Sequence, residues 1–168
     1  MILGFAVGIF TIFFAAALSL SFRQSSKLRL LISISTSGYA IPGSVISAGL
    51  LIGFDAVFGT SITIYGIFGL ILCLSFRFMT PAYNYSSSSL ANISKSSENA
   101  LSLVPSNPLK AFSSFYYPQM KSALFLGFMI VFIESVKEQA ATLLLRPVGF
   151  DTLSTCLLYT SPSPRDLY

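Results

Sequence analysis

Four long apolar stretches divide the chain, with polar, serine-rich intervals between them. An apolar run of about 20 residues crosses a bilayer as a helix at about 1.5 Å per residue. Residues 2–22, 39–58, 61–78 and 117–136 meet or approach that length, so the pattern predicts four membrane-spanning helices. The runs are continuous and lack the dyad alternation of barrel strands, which predicts helices rather than a barrel. The expected fold class is therefore all-α, a polytopic membrane helix bundle.

The second stretch is rich in small residues (Gly43, Ser44, Ser47, Ala48, Gly49, Gly53). Such a face lets a neighbouring helix approach closely, although glycine is also ordinary in membrane helices. The interval 81–116 is too long for a simple connection, and serines at 86–89 predict a flexible segment. Within it, Leu101, Val104, Leu109 and Phe112 keep a helical spacing that Pro105 and Pro108 interrupt. That pattern predicts two short helices with a turn between them.

Composition strengthens the membrane reading. Apolar residues make up 54% and charged residues 10%, against about 45–50% and 25% in ordinary globular chains. The net charge of +4 does not point to nucleic acid, because the ten basic residues are scattered singly and form no stripe. Their positions instead predict orientation. Arg23, Lys27 and Arg29 place the first loop in the cytoplasm, the second carries only Asp55 and faces out, and the third returns inside. That third loop holds Lys95 and Lys110 and is flanked by Arg77 and Lys121.

Catalytic chemistry is hard to place. With no histidine and two distant cysteines, Cys73 and Cys156, neither a His-based site nor a disulfide or metal spacing exists. No Gly-x4-Gly-Lys-[Ser/Thr] loop is present to cradle ATP phosphates. No catalytic residue, metal site or cofactor is expected in this chain.

Three blocks resemble one family. Gly38-Tyr39-Ala40-Ile41-Pro42-Gly43 resembles the GYAxPG stretch of type I ABC importer permeases of the ferric iron group. Val136-Lys137-Glu138-Gln139-Ala140-Ala141-Thr142-Leu143-Leu144-Leu145-Arg146-Pro147, with Phe150-Asp151-Thr152-Leu153, resembles their KELPATLLLRP…FDTL stretch. Arg77-Phe78-Met79 resembles the RF(M/L) end of the preceding span. The resemblance covers about residues 1–155 and implies the second membrane half of a longer permease. Residues 156–168 do not resemble the family; they look like translated adapter or a cloning scar.

The resemblance implies partners and sites. ATP would be bound by a cytoplasmic ATPase subunit, substrate delivered by a periplasmic or extracellular binding protein, and the pathway shared with a second permease half within the bacterial inner membrane. Glu98, Asn99, Ala100, Leu101, Val104, Pro105, Leu109 and Phe112 fall where the family docks into its ATPase. Pro105 stands where the family has glycine, and Glu138-Gln139-Ala140-Ala141-Thr142 stands for its ELPAT run, losing a proline. The plain alternative for this loop is a solvated segment packed on its own helices.

Glu134, Lys137 and Glu138, at i, i+3 and i+4, are expected to project from one helical side. They either line the pathway as a gate or snorkel at the outer interface, paired with one another. Two rival functions stay open. A secondary transporter would carry ionisable or unwound sites inside its spans, and a non-transporting fragment would need none.

Overall fold

Phenylalanines outside and hydroxyls inside characterise the first helix. The computed structural model describes residues 1–24, 29–59, 66–94, 96–97, 108–147 and 149–160. Helix α1 (Ile2–Gln24) buries Leu3, Val7, Thr11, Ala15 and Ser19, one residue per turn along a single stripe. Its other sides expose Ile2, Phe5, Ile9, Phe10, Phe13 and Phe14. Water would penalise so large an apolar surface, whereas lipid accepts it. The buried hydroxyls are satisfied locally: Thr11 Oγ1 donates to the Val7 carbonyl at 2.7 Å and Ser19 Oγ to that of Ala16 at 2.9 Å.

Two prolines break the helices that follow. Helix α2 (Arg29–Ser37) continues as a 3₁₀ turn (Gly38–Ala40), and the chain then bends by 118° into α3 (Gly43–Phe58). Ile41, before Pro42, is driven to extended geometry (φ −92°, ψ 131°), as the proline ring demands of its predecessor. Helix α4 (Gly66–Arg77) meets α5 (Met79–Ala91) at a 50° bend. Pro81 lacks the N–H that would bond the Arg77 carbonyl, and its ring crowds that carbonyl, so the axis breaks at Phe78.

After α6 (Pro108–Ala111), one π turn (Phe112–Tyr116) leads without interruption into α7 (Tyr117–Lys137). The π turn widens the helix where Pro118 would otherwise press on the Ser114 carbonyl. Two short helices close the described chain, α8 (Ala140–Leu145) and α9 (Leu153–Thr160). Thr152 and Thr155 cap α9 reciprocally, backbone N–H to Oγ1, at 2.9 and 3.5 Å.

Helices α1, α5 and α7 pack as a three-helix bundle, with α7 antiparallel to both others: Gly4 meets Val136 and Gly8 meets Phe128, while Ala82 lies by Gly127 and Ser89 reaches Gln119. A Cβ on Gly8 would lie 2.7 Å from the Phe128 ring, so only glycine lets α1 and α7 approach this closely. Ser19 and Ser86 join α1 to α5 through their hydroxyls at 2.6 Å. The second group is α3, α4 and α8, where Ser47 Oγ meets Cys73 Sγ at 3.5 Å. The N-terminal part of α1 touches both groups, and the main core lies there (Leu3, Val7, Leu70, Leu74, Phe78, Val131).

Two of the four expected spans form single helices of sufficient length and apolarity, Ile2–Phe22 and Phe112–Lys137. The other two are bent pairs. The 39–58 stretch yields only 16 residues of continuous helix, and residues 61–65 of the third lie outside the described residues. The expectation of a loop from 81 is corrected: residues up to Ala91 are helical and packed. Ala82, Ser86 and Leu90 recur at one position per turn and bury against the bundle. Small size and a hydroxyl partner make serine a packing residue here. The chain segment expected to be foreign begins inside α9, where Cys156 to Thr160 continue the helix.

Candidate functional site

Most of the expected ATPase-docking residues, Glu98, Asn99, Ala100, Leu101, Val104 and Pro105, lie outside the described residues. Leu109 is the second residue of α6. Phe112 opens the π turn half-buried, its ring centroid 6.5 Å from that of Tyr117. This segment joins the bundle at a defined end. Leu90, Ile93 and Met120 form a separate cluster there with Leu20, Phe115, Tyr116 and Leu124. Lys110 and Lys121 are exposed at the same end, and α1 terminates there too, one turn beyond Leu20. The exposed Lys110 and Lys121 and the C-terminal end of α1 therefore lie at one end of the bundle.

The acidic and basic trio separates. Glu134 and Lys137 pair with each other at 3.3 Å in the open, their side chains 37% and 65% exposed. Glu138 leaves the helical side on which it was expected. It follows the last residue of α7 with extended geometry (φ −71°, ψ 115°), and its carboxylate turns to Arg77. Its carbonyl is held as well, accepting from Thr142 Oγ1 at 2.8 Å and Ser154 Oγ at 3.1 Å. No proline or glycine stands directly after Glu138, and the contacts to Arg77, Thr142 and Ser154 hold the chain where the helix ends.

Arg77 is the residue that sequence reasoning missed as a site. Its Nε lies 3.5 Å from Glu138 Oε2, both side chains being mostly buried (21% and 13% exposed). Its Nη1–H donates to the Ile41 carbonyl at 2.7 Å. A Cβ on Gly43 would fall 2.5 Å from Glu138 Oε1 and 3.3 Å from Arg77 Nη1. One on Gly38 would fall 2.5 Å from the Phe76 carbonyl. The glycines of the Gly38–Gly43 block are thus required by the Arg77 and Glu138 segments packed against them. All three resembling blocks meet at this ion pair.

The expected orientation needs one correction. Alternation put Arg77 at the inner end of its span and Glu138 beyond the outer end of the next, yet they are in contact. The reason is the bend at Phe78. Arg77 ends a 12-residue helix and a 13-residue helix follows, so it sits midway along a bent apolar segment rather than beside a loop. A lone arginine inside an apolar stretch was the available signal.

Beyond this pair, Arg146 and Asp151 form an ion pair across the turn after α8, and Arg146 Nη2 reaches Tyr159 Oη at 3.3 Å. Among the described residues, no group of three or more His, Cys, Asp or Glu side chains could hold a metal ion.

Neither a protein-family model nor a curated protein matches the chain. What the structure establishes is coarser. The described chain is helical, and two of its helices are long and apolar enough to cross a membrane.

Proposed function

We propose that this chain is a membrane-spanning permease subunit of an ATP-driven importer of the type I ABC kind, with ferric iron as the substrate class. In this reading it lies in the bacterial inner membrane, forms the pathway with a second permease half, and receives substrate from an external binding protein. ATP is bound and hydrolysed by a cytoplasmic partner, which grips the segment around Glu98 to Phe112. One observation carries the reading: the three sequence blocks that resemble the family converge on Arg77, Glu138 and Gly43. Blocks that are far apart in the chain and fit one another through an ion pair and a missing Cβ behave as parts of one inherited design.

Co-purification tests it. The full-length protein is expected to carry an ATPase subunit through affinity purification, and Leu101→Asp with Leu109→Asp to release it. Retention of the ATPase by that double variant contradicts the docking assignment.

A second reading draws on the same site. Secondary transporters build their sites from broken helices, and Arg77 is an ionisable group at the break of a bent apolar segment. Uptake into proteoliposomes separates the two. The first reading requires ATP hydrolysis, whereas the second runs on an ion gradient alone.

A further inference from the structure

Three breaks in the chain coincide at one point. The α2–α3 bend contributes the Ile41 carbonyl and Gly43, the α4–α5 bend contributes Arg77, and the α7–α8 break contributes Glu138. Each break is also a crossing between the two packed groups. Helix α2 lies on α5, tied by Thr80 Oγ1–H to the Thr36 carbonyl at 2.6 Å, whereas α3 belongs with α4 and α8. At Phe78 the chain returns from the second group to the bundle, and at Glu138 it leaves the bundle again. The ion pair therefore sits on the seam where three covalent connections could act as one axis.

Its geometry is incompletely engaged. At 3.5 Å the Nε–Oε2 contact is an ion pair without a hydrogen bond, and the Arg77 Nε–H is buried with no hydrogen-bond partner. Buried guanidinium hydrogens are normally satisfied. An unsatisfied buried donor costs the present arrangement a bond that a second arrangement can make. We propose that Arg77 and Glu138 form the latch of a two-position hinge, closed in this structure and released when the α3–α4–α8 group turns against the α1–α5–α7 bundle. This inference rests on a transport reading, under either energy source, because a transporter must alternate between two arrangements of its helices. Gly43 is part of the latch, since any side chain there displaces the Glu138 carboxylate.

The test is a distance between the groups. Spin labels are placed at Val45 on α3 and Phe125 on α7, both exposed, in full-length protein in lipid nanodiscs. Cys73→Ala and Cys156→Ser remove the native thiols. Pulsed electron resonance is expected to give two distances in the otherwise native protein. Glu138→Gln and Gly43→Ala should each change their ratio at least fivefold, in the same direction. Arg77→Lys keeps the charge, loses the fork and shifts the ratio less, so it serves if the others do not fold. A single distance in the native protein overturns the hinge, and two distances whose ratio no variant moves overturn the latch. Loss of ATPase co-purification with both distances retained removes the importer reading and leaves the latch. A single distance with the ATPase bound does the reverse.

Discussion

Glu134, Lys137 and Glu138 lie within one turn of sequence, yet their surroundings set different costs for losing each. The Glu134–Lys137 pair is solvent-facing, and exposed pairs are worth about 0–1 kcal/mol. Lys137→Ala is expected to leave stability in mixed micelles nearly unchanged, read as the midpoint of chemical unfolding. Glu138→Ala strands the Arg77 guanidinium in a mostly buried site, and removing one member of a buried pair costs about 3–5 kcal/mol. A fall of about 3 kcal/mol is expected by the same measurement, and parity with Lys137→Ala would contradict the burial. Gly43 adds a sharper test. Gly43→Ala drives a methyl into the Glu138 carboxylate and should destabilise the native protein by about 1–3 kcal/mol, as overpacking does. In a Glu138→Ala background two of its three nearest contacts are gone, so the added cost should largely vanish.

At the scale of elements, α1 and α7 were legible in the sequence because an unbroken apolar run has few alternatives. Helix α5 was not. Its Ser86 to Ser89 run reads as a flexible linker, and only the neighbouring helices turn it into structure. Ser86 finds Ser19, Ser89 donates to the Gln119 carbonyl at 3.3 Å, and Ser87 bonds its own helix at the Asn84 carbonyl. Polarity in a sequence reads as solvent exposure, whereas in lipid a hydroxyl is a means of joining helices. The bends at Pro42 and Pro81 were not legible in the sequence, because whether and how far a proline bends a helix pair depends on packing. The end of α7 at Lys137 falls one residue beyond the expected span, but the turn of Glu138 toward Arg77 had no local signal, because its partners Arg77, Thr142 and Ser154 come from other elements or follow in the chain. A double-mutant cycle on Ser19→Ala and Ser86→Ala is expected to show coupling of about 0.6–1.7 kcal/mol. Coupling near zero would mean that α5 leaves α1 in the membrane.

Seen as a whole, the molecule keeps an apolar core, with Thr11, Ser19, Ser47 and Ser86 buried in it, and also exposes large apolar side chains such as Phe5, Phe13, Phe68 and Phe125. That apolar exterior supports lipid as its solvent. The clustering of Lys110, Lys121 and the C-terminal end of α1 at one end of the bundle supports a cytoplasmic position for that end. The site was only partly legible. The three resembling blocks could be picked out one by one, but their meeting at Arg77 could not, because the bend that brings Arg77 inward is a tertiary outcome. Residues 98–107, where the ATPase would dock, lie outside the described residues; in sequence they fall between α5, which packs on the bundle, and α6, which leads through the π turn into α7.

The central claim is that this segment lies in the cytosol, within reach of an ATPase, and accessibility tests it most directly. Ser96 is exposed, and a cysteine placed there, with Cys156→Ser to remove the exposed native thiol, can be challenged with a membrane-impermeant maleimide. In intact cells the account predicts no labelling at that position, with full labelling once the membrane is permeabilised. Labelling of Ser96→Cys in intact cells would contradict it.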